Sequence, residues 1–159
     1  MRIAATLQRY LDDAGVAYEL LEHAHSVTSR ETADVAGIDE DRVAKAVVLE
    51  DRKHFLAVMI PASRRVHFTT VHEHLGRHVG LATEDEVRLL FDDCVPGAVP
   101  GTPQAYGIDV LVDDTLLDAE DVYFESGSQT DLVHVSGAAF RDLMATADHG
   151  AFSAPAREH

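Results

Sequence analysis

Residues 43–60 read VAKAVVLEDRKHFLAVMI, two apolar runs separated by a short charged turn. The first run, 43–49, is rich in β-branched residues, and the second, 55–60, is stopped by Pro61. The pattern predicts a β-hairpin with Arg52 and Lys53 in its turn. Alternate residues of a strand share a face, so Val43, Lys45, Val47 and Leu49 lie together. Three of these four are apolar, so that face looks onto a core or a cavity. A lysine there must snorkel to water, find a partner, or point into a polar pocket. In a pocket its ammonium can hold a carboxylate, a phosphate or an ester carbonyl, and a desolvated lysine can shed its proton and act as base or nucleophile. A strand-end lysine that simply reaches solvent fits the position equally well.

Upstream of the hairpin, Ile3, Leu7, Tyr10, Leu11 and Ala14 recur at helical spacing and Gly15 follows as a stop. Residues 16–21 (VAYELL) read as a strand. Thr28, Ser29, Arg30 and Glu31 fit a capping box that opens a short helix closed by Gly37. Downstream, residues 69–78 read as helical, and Thr83 to Glu86 form a second capping box ahead of a helix reaching Phe91. Residues 92–107 hold three prolines and three glycines, a loop of fixed shape rather than a slack linker. Strands are expected at 109–112, 122–125 and 132–135, a last helix at 137–145, and a frayed tail at 151–159. Helices and strands do not alternate regularly, so residues 1–150 are read as one α+β domain rather than a doubly wound sheet. No GxGxxG or Walker loop is present.

The chain has 159 residues, 46% of them apolar, with 13 basic side chains against 28 acidic, a net charge of −15. Such proportions exclude collagen-like and disordered readings. No apolar run is long enough to cross a bilayer, and the N-terminal stretch lacks a signal-peptide pattern, so a cytoplasmic protein is expected. The single cysteine, Cys94, excludes an internal disulfide framework. Charge is uneven: residues 30–90 carry nine basic and eleven acidic groups, residues 91–159 only two basic and thirteen acidic. Tight nonspecific DNA binding needs many cation–phosphate contacts and is not expected.

The segment 96–101 (PGAVPG) is a second candidate for chemistry. Glycine lets a ligand approach the backbone, proline holds neighbouring amides in place, and outward-facing amides can bind an oxyanion. A plain surface turn gives the same dipeptides. Ser126 to Thr130 follow a strand and could add small donors. His67, His72, His74 and His78 invite a metal reading, with His74 and His78 four apart, but no HExxH is present and exposed histidines account for the pattern better. Cys94 has no local signature of a thiol nucleophile.

In order along the chain, YELLEH, HSVT, VAKAVVLE, FLAVMIPA, LATEDEVRLLF, DCVPGAVPG, YGIDVLVDDTL and VYFESGSQTDLVHV resemble the YbaK/prolyl-tRNA-synthetase-associated domain family of aminoacyl-tRNA deacylases, over about residues 15–145. The resemblance implies a single-domain, mixed, barrel-like β-sheet core flanked by helices, and a cytoplasmic trans-editing hydrolase that cleaves the ester of mischarged tRNA. No cofactor is expected, and no metal, because the histidine spacing lacks a matching acidic ligand and catalytic base. The family's functional lysine matches Lys45, its glycine–proline loop Gly97, Ala98 and Pro100, and its small-residue turn Gly127 and Ser128. Lys45, Gly97 and Ser128 are thereby expected in catalysis. Tyr18, His25, Thr28, Ala46, Ala98, Pro100 and Gly127 are expected to line the substrate site.

Two departures stand out. Gly101 occupies a position where the family pattern has proline, and Ala46 one where a small polar residue is common. The expected partner is the acceptor end of aminoacyl-tRNA, delivered by a synthetase or an elongation factor, with no DNA or membrane partner. A noncatalytic nucleotide- or aminoacyl-binding module of the same fold, and a metal-binding protein built on the histidine cluster, are the alternatives.

Overall fold

Helix α1 (Ala5–Asp13) turns Leu7 and Leu11, four residues apart, into the core, and Gly15 at φ 68° follows as its stop. The computed structural model describes residues 1–26, 28–52 and 54–156. Strand β1 (Glu19–Glu22) begins at Glu19 rather than at Val16. Helix α2 (Ser29–Ala36) is capped by the Thr28 hydroxyl, which accepts the Glu31 N–H at 3.1 Å, and closes on Gly37 at φ 70°. Strands β2 (Val43–Glu50) and β3 (Phe55–Pro61) form the expected hairpin, paired antiparallel from Ala44–Pro61 to Glu50–Phe55. Lys53, expected in its turn, lies outside the described residues.

Strand β4 (Arg64–Val66) and helix α3 (Phe68–Leu75) follow, then β5 (Gly80–Leu81) and α4 (Glu84–Leu90). At α4 both halves of the capping box form: Thr83 Oγ1 accepts the Glu86 N–H, and Glu86 accepts the Thr83 N–H. The loop 92–107 is not structureless, for Pro103–Tyr106 makes a turn of 3₁₀ helix. The rest is β6 (Asp109–Asp113), α5 (Asp114–Leu117), β7 (Asp121–Glu125), β8 (Asp131–Ser136), α6 (Gly137–Leu143), β9 (Asp148–Gly150) and β10 (Ser153–Pro155).

The main sheet runs β1-β8-β7-β2-β3-β6-β9, with β5 also beside β2. The pairs β2–β7, β3–β6 and β6–β9 are parallel and the others antiparallel. This is a large mixed sheet with helices against it, in an α+β domain. One face carries Ala44, Met59, Val112, Phe124 and Val133 and packs on Leu7 and Leu11 of α1, Leu116 of α5 and Phe140 of α6. The opposite face carries Leu49, Val58, Ile60 and Leu111 and packs on Val71 of α3. Ala33 of α2 covers Val43 on that same side.

The tail expected to fray from residue 151 is built in as far as it is described. Phe152 is 1% exposed against Ile60, Val66 and Val71, its N–H donates to Asp113, and β10 pairs with β4. Burying one phenylalanine stabilises by roughly 1.5–3 kcal/mol, which offsets part of the cost of ordering a three-residue strand, and the pairing with β4 and the bond to Asp113 add to it.

Candidate functional site

Strand β2 is paired with β3 along its whole length, but its other edge is covered only at the ends. Strand β7 meets it at Val43 and Ala44, and β5 meets it at Leu49 and Glu50. Among the described residues no strand pairs with that edge at 45–47. Beyond Ala44 the neighbour is lost because β7 ends at Glu125 and turns away through Ser126 and Gly127, the latter at φ 93°. Val43 O accepts the Ala62 N–H toward β3, whereas Val48 O accepts the Ala82 N–H on the opposite edge. Backbone groups alternate edges in an antiparallel strand. The N–H and C=O of Ala46 therefore point into the opening.

Three loops meet at the end of β7. The Val95 N–H donates to Gly127 O at 2.8 Å, Gln129 Nε2 donates to Pro96 O at 2.9 Å, and His25 Nε2 lies 2.5 Å from Gln129 Oε1. The His23 N–H donates to Thr130 O. So the segments holding His25, Gly97 and Ser128, far apart in sequence, form one rim. Gly97 also lines a largely apolar cavity of about 310 Å³ with Ala82, Val87, Phe91, Val95 and Val99. Lys45, Ser128, Tyr18, His25 and Thr28 are not among its lining residues.

Lys45 sits on the face with Val43, Val47 and Leu49, as the alternation requires, and faces away from the Ala46 side chain. Its Nζ donates to Ala62 O at 3.5 Å. Burial is the main cause lowering its pKa; the Arg30 charge adds to this and Glu40 partly offsets it. It is a half-buried cation beside an unpaired strand edge.

Several expected site residues have their polar groups already engaged. Pro96 and Gly97, the latter at φ 86°, occupy the middle of a turn that the Ala98 N–H closes onto Val95 O at 3.0 Å. That bond removes the Ala98 amide from an oxyanion role. No bond is made to the Gly97 N–H among the described residues. Ser128 is 3% exposed, and its Oγ accepts the Thr130 N–H and lies 3.0 Å from Thr130 Oγ1. The Thr28 hydroxyl is spent capping α2. Tyr18 packs against the core on the Ala44 side of the sheet, with Ala46. Pro100 is buried, and Gly101 lies so close to Phe124 that an added Cβ would come 2.3 Å from its Cγ. Proline also carries a Cβ, so the family's proline would not fit against Phe124.

The histidine cluster does not assemble. Helix α3 ends at Gly76, φ 69°, so His74 and His78 do not share a helix face. His74 Nε2 meets Asp148, His72 Nε2 meets Val79 O, and the His78 ring lies 4.0 Å from that of His72, tilted by 41°. Among the described residues no three His, Cys, Asp or Glu groups are arranged to hold a metal. Burial pushes the Cys94 thiol up to about 12, and its sulfur lies 3.3 Å from the Tyr106 hydroxyl, so the thiolate is scarce near neutral pH.

Two groups beside the rim carry no local motif. The imidazole of His23 is buried, and its Nε2 has no partner among the described residues. Glu125, the last residue of β7, is 4% exposed, and burial pushes its carboxyl up to about 7 although Thr32 hydrogen-bonds it.

A protein of known structure called hypothetical protein APE2540 is similar at 25% identity and TM-score 0.83, covering 94% of this chain and 99% of that one. A second, provisionally named as a trans-editing enzyme for prolyl-tRNA synthetase, shares the fold at 22% identity and TM-score 0.79, covering 95% of this chain and 96% of that one. A third, named as a signal transduction protein from Marinobacter aquaeolei VT8, matches 93% of this chain with only 30% of its own length, at 21% identity and TM-score 0.76. No curated protein matches the sequence. No helix among the described residues is long and apolar enough to cross a membrane. A sequence model of the aminoacyl-tRNA editing domain matches residues 23–143, which include the Lys45 opening and the three rim loops, and the chain belongs to that family.

Proposed function

We propose that this protein hydrolyses the ester joining a wrongly attached amino acid to tRNA, acting in trans on the acceptor end. The observation that carries the reading is the unpaired edge of β2 beside half-buried Lys45, in a chain of the editing-domain family. In this reading Lys45 holds the ester carbonyl or the terminal phosphate. The Ala46 and Gly97 amides stabilise the tetrahedral oxyanion, where one donor is worth about 3–4 kcal/mol. Water adds to the carbonyl carbon, the bond to the ribose oxygen breaks, and a proton from the water ends on that oxygen. A second sieve of this kind corrects errors that a synthetase pocket cannot, since one methylene gives it only about 1–3 kcal/mol of discrimination. Deacylation of a panel of mischarged tRNAs is the test; a wild-type protein that releases no amino acid from any of them rejects the reading.

A noncatalytic module that binds aminoacyl or nucleotide ligands is the second reading. The internal engagement of Ser128 and of the Ala98 amide favours it. It predicts saturable binding of a nonhydrolysable aminoacyl-adenosine without turnover of the ester.

A further inference from the structure

Two loops of the rim are held from a segment that lies outside the matched residues 23–143. The Ala4 N–H donates to Ser126 O at 2.8 Å, and the Thr6 N–H, in the first turn of α1, donates to Asp93 Oδ2 at 2.9 Å. The loops so held are the two that the Val95–Gly127 bond joins. Gly127 packs directly on the segment: a Cβ there would come 2.6 Å from that of Ala4. Arg2 adds a charge to this contact. Its Nε and Nη2 lie 2.9 Å and 2.8 Å from Asp131 Oδ2, and the Asp131 side chain is only 2% exposed.

The hydroxyl protons of the turn all run toward Asp131. A carboxylate only accepts, so Thr130 spends its one proton on Asp131 Oδ1, at 3.0 Å. Ser128 must then be the donor in its 3.0 Å contact with Thr130 Oγ1, while its oxygen accepts the Thr130 N–H. Ser126 donates to the backbone oxygen of Asp131 at 2.9 Å and accepts the Ser128 N–H at 3.3 Å. The turn is therefore organised around one buried carboxylate. Without a cation, a carboxylate in so dry a place gains by moving to water, and the turn would move with it. We propose that Arg2 is a positioning residue of the editing site: through Asp131 it fixes the Ser126–Asp131 turn, and with it the Val95–Gly97 side of the rim. The proposal rests on the deacylase reading only for its consequence in activity.

Amide hydrogen exchange tests the brace without reference to activity. In Arg2→Gln the protection of the Val95 and Ser128 amides is expected to fall roughly tenfold more than that of Val58 and Met59 on β3. Asp131→Asn should loosen the same two amides, and adding Arg2→Gln to it should change nothing further, because Arg2 acts only through the carboxylate. This second pair carries the test if Arg2→Gln alone does not fold. Equal losses at all four amides, no loss at Val95 and Ser128, or further loosening in the double variant overturns the proposal whether or not the protein is a deacylase. Activity gives the separate reading, on the mischarged tRNA that the wild type turns over fastest. Arg2→Gln is expected to lower kcat roughly tenfold with KM within about twofold, and Arg2→Lys, which keeps the charge, to restore most of it. A raised KM at wild-type kcat would make this exposed cation a tRNA contact, and wild-type values for both would make the loosened turn irrelevant to the reaction; either overturns the positioning role. A wild-type protein that deacylates nothing rejects the deacylase reading and leaves the exchange measurements to decide the brace.

Discussion

Lys45 is a cation on a strand face that is otherwise apolar, and it offers the most direct test of the site. Lys45→Ala is expected to keep the fold, because no ion pair is lost, and to slow deacylation roughly 10²-fold or more, the loss of a charged contact made in the transition state. A folded variant with wild-type turnover removes Lys45 from the mechanism. Glu125 makes a prediction about stability. Its folded carboxyl titrates near 7 and the unfolded one near 4.5, so between these values the folded chain binds the extra proton. Stability from this group is full below about pH 4.5, declines as pH rises, and is lost above about 7. Glu125→Gln is therefore expected to be more stable than wild type at pH 8 by roughly 1–3 kcal/mol, and not at pH 4.5, measured by urea denaturation. Lys45 was legible in sequence because period-two alternation places it without any distant partner. Glu125 was not, because its meaning depends on Thr32, 93 residues away.

The long strands and the capped helices were legible for a similar reason: β2 and β3 span eight and seven residues, enough for an apolar run to register. Strands β4, β5, β9 and β10 have only two or three residues each, too few for any period. The opening beside β2 was hidden as well, since pairing that stops is invisible until the partner strand is placed. The Gly101 loop is held by close approach to Phe124, so Gly101→Ala is expected to destabilise by about 1–3 kcal/mol, read as a lower denaturation midpoint. The histidines lead to the opposite expectation. With His74 on Asp148 and His78 beyond the end of α3, a chelator should change neither melting temperature nor activity. Stoichiometric zinc lost together with activity would reinstate a metal site.

With a net charge of −15 the whole protein should repel a polyanion at long range. The middle of the chain supplies the basic groups, but Arg64 and Arg65 are turned to the last strand, donating to Ser153 and to Pro155 O. Of the expected contacts among the described residues, that leaves Arg30, whose charge is felt at Lys45, with Arg42 and with Arg52 at the hairpin turn, as cations for an acceptor end; Lys53 lies outside the described residues. Arg30 is itself held by Glu40 at 3.2 Å. With two or three phosphates neutralised, the log–log salt dependence of tRNA binding is expected to be only roughly −1.5 to −2. Titration of uncharged tRNA at several salt concentrations measures it. Nanomolar affinity with a steep slope would reveal a broader basic face than these few cations make.

The pairing of β10 with β4, and Phe152 beneath it, also bears on how the protein is made. Phe152 packs with Leu49, Ile60 and Val66, so one whole side of the sheet lacks a filling side chain until Phe152 itself has been synthesised. Chains lengthen at about 5–20 residues per second, slowly compared with hydrophobic collapse. A nascent chain stalled before Phe152 should thus expose the β4 edge and the groove over α3, and be bound by chaperones or cut by proteases. One extended to Pro155 should resist both. The emergence of residues 152–155, rather than the forming of the central hairpin, would then be the moment at which this fold becomes durable.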